Sequence, residues 1–168
     1  MNSQVSKLEP TSIWRNFVSL NSVPRPSKRE EKIINFLIKF AENNNLRYSR
    51  DNIGNLVIFK DATSDMVDRK TIVLQSHVDM VHEKNQDVQF NFEESGIEMY
   101  VESGWVNAKG TTLGADNGLG VAAIMGILES SEISHPKIEA LFTIDEETGM
   151  TGALNLSDSI LNLSLIHI

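Results

Sequence analysis

Three short polar stretches, each beside an apolar segment, constrain this chain most. They are Ser76-His77-Val78-Asp79-Met80, Gly114-Ala115-Asp116-Asn117-Gly118 and Ile144-Asp145-Glu146-Glu147-Thr148-Gly149. The first follows Thr71-Ile72-Val73-Leu74-Gln75, a β-branched run of the kind that lies inside a sheet covered on both faces. The third ends a second apolar run, predicted as a strand over 137–144, and the second opens a predicted helix over 118–129 that is rich in small residues. Sites in layered α/β domains form at the carboxyl ends of strands. All three stretches are therefore expected at one crevice.

The rest of the chain fits that class. Ile13, Trp14, Phe17 and Val18 recur at helical spacing over 10–20. Pro24 and Pro26 force an extended break, and Ser27-Lys28-Arg29-Glu30 reads as a capping box for a helix running to about Glu42. Ile33, Leu37, Phe40 and Ala41 give that helix its buried stripe. Strands are predicted over 46–50 and 55–60, joined by the turn-prone Asp51-Asn52-Ile53-Gly54. Short alternating pieces follow from Asp87 to Asn107, with a turn at Ser103-Gly104, and a short helix is predicted over 150–156. Helix, helix, strands, helix, strand, helix describes an α/β layered domain with a central mixed sheet. No repeat or linker interrupts it.

Composition removes several classes of function. Lys plus Arg number 15 and Asp plus Glu 23, so the net charge is 15 − 23 = −8, a balance that argues against nucleic-acid binding, which needs a basic face. No apolar stretch approaches the roughly 20 residues of a bilayer helix, and the first residues lack the pattern of a signal peptide. There is no cysteine, so thiolate metal sites, disulfides and cysteine nucleophiles are excluded. Any metal must be held by imidazole and carboxylate. No Gly-x-Ser-x-Gly elbow supports a serine hydrolase.

The candidate groups are His77, Asp79, Asp116, Glu146 and Glu147. Residues two apart on an extended chain face the same way, so Asp79 can hold the ring of His77 while its other nitrogen binds a metal. A strand-end histidine beside a surface acid is the plainer alternative. Asp116, among Gly114, Gly118 and Gly120, is either a helix cap or a short, well-fixed carboxylate bridging two metals. The adjacent acids Asp145, Glu146 and Glu147 repel one another unless solvated or neutralised by a dication. A dication would let one glutamate ligate while its neighbour takes a proton from water. Gly149 and Gly152 are expected to allow close packing beneath the site. His82 is a weaker candidate ligand, and His135, before Pro136, is expected in a turn.

Taken in order, these stretches resemble the aminoacyl-histidine dipeptidase branch of the dinuclear-zinc aminoacylase and carboxypeptidase-G peptidase superfamily. The likeness runs from about Leu8 to Leu163 and rests on residues 75–81, 110–118 and 142–150. It implies a zinc-peptidase fold whose smaller lid domain is absent here. It also implies that His77 and Glu147 each ligate one ion, that Asp116 bridges both, that Asp79 orients His77 and that Glu146 is the general base. Zinc is the implied ion, with cobalt or manganese suited to the same ligands. The implied activity is hydrolysis of short peptides, including those ending in histidine, in the cytoplasm by a protein that is often homodimeric. Residues 1–163 would be the amino-terminal part of the catalytic domain and 164–168 a tail foreign to the family. The family's next aspartate ligand falls about at Ser164, and its final histidine is not replaced by His167, so this chain is expected to be inactive alone. Two other readings are a deacylase of the same superfamily and a non-catalytic cation-binding module.

Overall fold

The computed structural model describes residues 2–157 and 159–161. The expectations for Ser164, His167 and the tail lie outside the described residues. Among the described residues twelve elements run in the order α1 (Asn2–Val5), α2 (Thr11–Asn21), α3 (Glu31–Asn43), β1 (Arg47–Arg50), β2 (Leu56–Lys60), β3 (Ile72–His77), β4 (Met99–Glu102), β5 (Trp105–Ala108), α4 (Ala115–Glu129), β6 (Ile138–Thr143), α5 (Glu146–Gly149) and α6 (Thr151–Leu154).

Four strands form a mixed sheet in the order β1-β2-β6-β3. Strand β6 is antiparallel to β2 and parallel to β3, with His77 opposite Thr143. All six residues of β6 are buried, as its apolar composition requires of a central strand. On one face the helices supply Leu20, Ile33, Ile34, Leu37, Val121 and Leu128, packed on Leu56, Ile58, Ala140 and Phe142. Each fully buried side chain of this size contributes about 1.5–3 kcal/mol. The other face is covered more thinly, by Ile160 and Leu161 over Val57 and Leu141.

Helix α4 packs against both α2 and β3. It is apolar almost all round, as suits a helix enclosed by protein. The β4-β5 hairpin stands apart from the main sheet, and Met99 joins it to Val5, Phe17 and Ala122.

Several expectations need correction. Strand β3 is an edge strand of the described sheet, and Ile72 is 38% exposed, so this run is not covered on both faces. A β-branched run signals a strand but not its neighbours. No strand forms over 87–95, and only the last part of that alternating region pairs, as β4 and β5. Ser27 and Glu30 make no capping box. The residue before α3 is Glu30, and no side chain caps that helix. The Ser27 hydroxyl donates instead to Asp79, and Glu30 Oε1 accepts the amides of Lys28 and Asp145.

Candidate metal centre

Parallel pairing of β3 with β6 brings their carboxyl ends side by side, which is why His77 and the Glu146-Glu147 pair lie close. His77 is the last residue of β3 and is buried. Glu146 and Glu147 open α5, directly after the turn that leaves β6. Asp116 arrives from the first turn of α4, where it and Asn117 depart from helical angles across a cis peptide. Gly114, at φ 67°, makes the left-handed entry to that turn. The residue before α4 is Gly114, and the Asp116 carboxylate is turned to the His77 ring.

One nitrogen or oxygen from each of His77, Asp116 and Glu147 lies within 4.8 Å of the other two. Metal–ligand bonds of about 2.0–2.2 Å place such donors roughly 3–4 Å apart, so small side-chain adjustments suffice to surround one ion. An imidazole with two carboxylates is a donor set that suits zinc, cobalt or manganese. Nε2 of His77 is 3.0 Å from Asp116 Oδ1 and 3.8 Å from Glu146 Oε2. Its Nδ1 lies 3.3 Å from Asp79 Oδ1. Burial works to lower the His77 pKa, but the carboxylates of Asp79, Asp116 and Glu146 outweigh it and raise the value to about 9. The field at this imidazole favours positive charge.

Asp79 is fully buried and does more than face His77. Its Oδ1 accepts the Glu146 amide at 3.1 Å, while Oδ2 accepts the Glu147 amide at 3.2 Å and the Ser27 hydroxyl at 2.8 Å. Burial would raise its pKa, but His77 and these donors hold it down at about 2. Glu147 is shifted the other way. Partial burial raises its carboxyl, and Asp116, Glu146 and Asp79 add to that against the pull of His77. Glu146 stands at the rim, its side chain 38% exposed. An open cleft of about 380 Å³ lies over His77, Asp116 and Glu146, with Leu141, Met150 and Leu156 on its apolar side.

Asp145 departs from the picture of a solvated acidic run. It is buried at φ 50° and accepts the hydroxyls of Thr148 and Thr151. Its amide donates to Glu30 Oε1 at 3.1 Å. Glu30, Asp79 and Asp145 form a second close group of acids, but amides and hydroxyls already meet both oxygens of Asp79 and Asp145 and Oε1 of Glu30. His82 is exposed and lies edge-on to Phe92, outside the His77 group. His135 is not in the expected turn: it lies buried in the irregular segment before β6, with Nδ1 2.8 Å from Pro136 O. Gly152 packs tightly, since a Cβ there would come 2.7 Å from the Ile144 main chain; Gly149 has ordinary room.

Sequence reasoning missed Arg25, Ser27 and Glu30, which reach the centre from the segment between α2 and α3. Their only signal was an arginine between two prolines followed by Ser-x-x-Glu, and local helix chemistry claimed the serine and glutamate first.

Residues 73–167 match the model of peptidase family M20/M25/M40. The chain is 39% identical over 164 residues to the cytosol non-specific dipeptidase of Escherichia coli, an alignment covering 98% of this chain and 34% of that protein. Its fold superposes on the aminoacylhistidine dipeptidase of Vibrio alginolyticus with a TM-score of 0.92 at 45% identity, covering 94% of this chain and 32% of the other. The aminopeptidase PepT of Bacillus cereus superposes with a TM-score of 0.72 at 27% identity, covering 87% and 39% respectively. The chain thus spans about a third of the length of the dipeptidases it matches. With the family model matched over more than half of its length, the chain belongs to peptidase family M20/M25/M40.

Proposed function

We propose that His77, Asp116 and Glu147 are metal ligands of a dipeptide hydrolase. The convergence of their three donor atoms within 4.8 Å carries this reading. Zinc is the first choice of ion, with cobalt and manganese suited to the same donors. Asp116, whose side chain is 84% exposed and lines the open cleft, would be shared between the ions if two were bound. When bound, such ions polarise the peptide carbonyl and lower the pKa of water.

The chain's own residues then have distinct tasks. Asp79 keeps the His77 ring turned so that Nε2 faces the cleft, and it holds the amides of Glu146 and Glu147. Glu146, at the rim beside Nε2, takes the proton of the attacking water and returns it to the leaving amine nitrogen. Leu141, Met150 and Leu156 give the cleft an apolar portion of its lining. A short peptide, including one ending in histidine, is the substrate class favoured by the kinship to dipeptidases, and the cytoplasm is the expected compartment. Among the described residues no helix is long and apolar enough to cross a membrane.

Residues 1–163 are read as the amino-terminal part of a catalytic domain. The remaining ligands and the lid would come from the two thirds of the relatives' length that the chain does not span. The 168-residue chain is accordingly expected to bind metal without hydrolysing dipeptides. Zinc calorimetry on the wild type and His77→Ala tests the reading. Binding that His77→Ala abolishes supports it; identical weak isotherms would remove its basis.

A further inference from the structure

The segment between α2 and α3 runs beneath the metal centre, and one cation on it is almost wholly enclosed. Arg25 is 1% exposed. Its Nη1 donates to the carbonyl oxygens of Val78 at 3.1 Å and Asp79 at 3.2 Å. Nη2 donates to Gly114 O at 2.7 Å and to Asn21 Oδ1 at 2.8 Å. The main chain adds to this, because Met80 N donates to Arg25 O at 3.2 Å.

Those contacts divide between two loops. Val78 and Asp79 directly follow His77, and Gly114 lies two residues before Asp116. The loops come from different elements, β3 and α4. Arginine presents its donors in a rigid planar fork, so carbonyls bound to its two ends are held at a set distance. Lysine, a single point of charge on a flexible stem, cannot hold both ends in this way. The packing around the fork is close. A Cβ at Gly114 would lie 2.5 Å from Arg25 Nη2, and one at Gly118 would lie 2.6 Å from it.

Energetics argue against a filling role. An enclosed cation carries a large desolvation cost, and a well-packed apolar side chain of similar volume is often no worse for stability. Here an apolar residue would leave main-chain carbonyls at both ligand-bearing loops without their donor.

We infer that Arg25 is a positioning residue of the metal centre, its guanidinium tying the loop after His77 to the loop before Asp116 and so setting the separation of those two ligands. The inference rests on the reading of His77, Asp116 and Glu147 as ligands.

Arg25→Lys tests it by two measurements, with Leu128→Ala as a control for loss of stability at a remote core site. In the metal-free chain, hydrogen exchange at the amides of Val78, Met80 and Gly118 is expected to quicken in Arg25→Lys beyond its level in the control. Titration with cobalt chloride is expected to show binding weakened about tenfold or more, with a changed visible absorption band, while the control keeps the wild-type band. A folded Arg25→Lys with wild-type exchange and wild-type cobalt binding overturns the inference. Should Arg25→Lys fail to fold, Asn21→Ala removes one anchor of the fork and is expected to shift both readouts in the same direction by less; wild-type values there overturn the inference equally. A wild-type chain that binds no cobalt overturns the metal-centre reading itself. The exchange rates, which need no metal, tell that failure apart from failure of the tie.

Discussion

Asp79 Oδ2 accepts the backbone amide of Glu147 at 3.2 Å, so the acid behind the candidate histidine also fixes the position of a candidate ligand from another strand end. With Oδ1 on the Glu146 amide and Ser27 on Oδ2, one buried carboxylate joins three separate parts of the chain. Replacing Asp79 by alanine is expected to leave those donors unsatisfied and cost about 3 kcal/mol, read as a lowered urea midpoint. Asp79→Asn, which keeps one acceptor oxygen, is expected to cost less. Equal midpoints for wild type and Asp79→Ala would contradict this role.

The pH dependence of the metal-free chain follows from two opposite shifts. The His77 pKa is raised from 6.5 to about 9, so its contribution to stability is full below 6.5 and lost as pH rises through about 9. That of Asp79 is lowered from 3.8 to about 2, so its contribution is full above 3.8 and lost as pH falls through about 2. Urea midpoints are therefore expected to be higher at about pH 5 than at about pH 10. Metal must displace the imidazole proton, so zinc affinity is expected to rise with pH up to about 9 and proton release to accompany binding near neutrality. Calorimetry in buffers of different ionisation enthalpy measures that release.

Glu146→Gln separates ligation from proton transfer. It removes the proposed base but none of the three close donors. Zinc affinity of the chain is expected to stay near the wild-type value. In a family-length protein carrying these residues, turnover of a dipeptide is expected to fall about 10²–10⁴-fold. A large loss of zinc binding in Glu146→Gln would make it a ligand instead.

Gly152→Ala probes the packing beneath the α5–α6 turn. The added methyl would meet the Ile144 main chain at 2.7 Å, which cannot yield as a flexible side chain would. A destabilisation of about 1–3 kcal/mol is expected, measured by thermal or urea unfolding. Gly149→Ala, with neighbours no nearer than 3.6 Å, is expected to be much milder.

Much of the architecture was legible because local chemistry agrees with the final fold. The apolar period of Ile33, Leu37 and Ala41 gives a helix with one buried face, and Asp51 organises its turn by accepting the amides of Ile53, Gly54 and Asn55. The apolar run before Asp145 gives the fully buried β6. That polar residues stand where β3 and β6 end was also readable, since the apolar pattern stops there. Whether those ends meet depends on the parallel pairing of β3 with β6, a contact between residues some 66 positions apart, as Ile72 opposite Ile138 shows.

Ser27, Glu30 and Asp145 were misread for a common reason. Short-range rules assign a serine and a glutamate three residues apart to one helix end, and adjacent acids to a solvated loop. In the folded chain the Ser27 hydroxyl donates to the distant Asp79, Glu30 Oε1 accepts the Asp145 amide beside that of Lys28, and Asp145 accepts the hydroxyls of Thr148 and Thr151. Burial made the difference, because an enclosed carboxylate must be satisfied by whichever donors lie near it. Residue order alone therefore specified the helices, the strand cores and the kinds of side chain available for chemistry. Assembly of the sheet chose which of them face one another, left β3 at an edge of the described strands, and placed an arginine between the two loops that carry His77 and Asp116. No periodicity encodes those outcomes, since they arise from contacts between segments that are close only after folding.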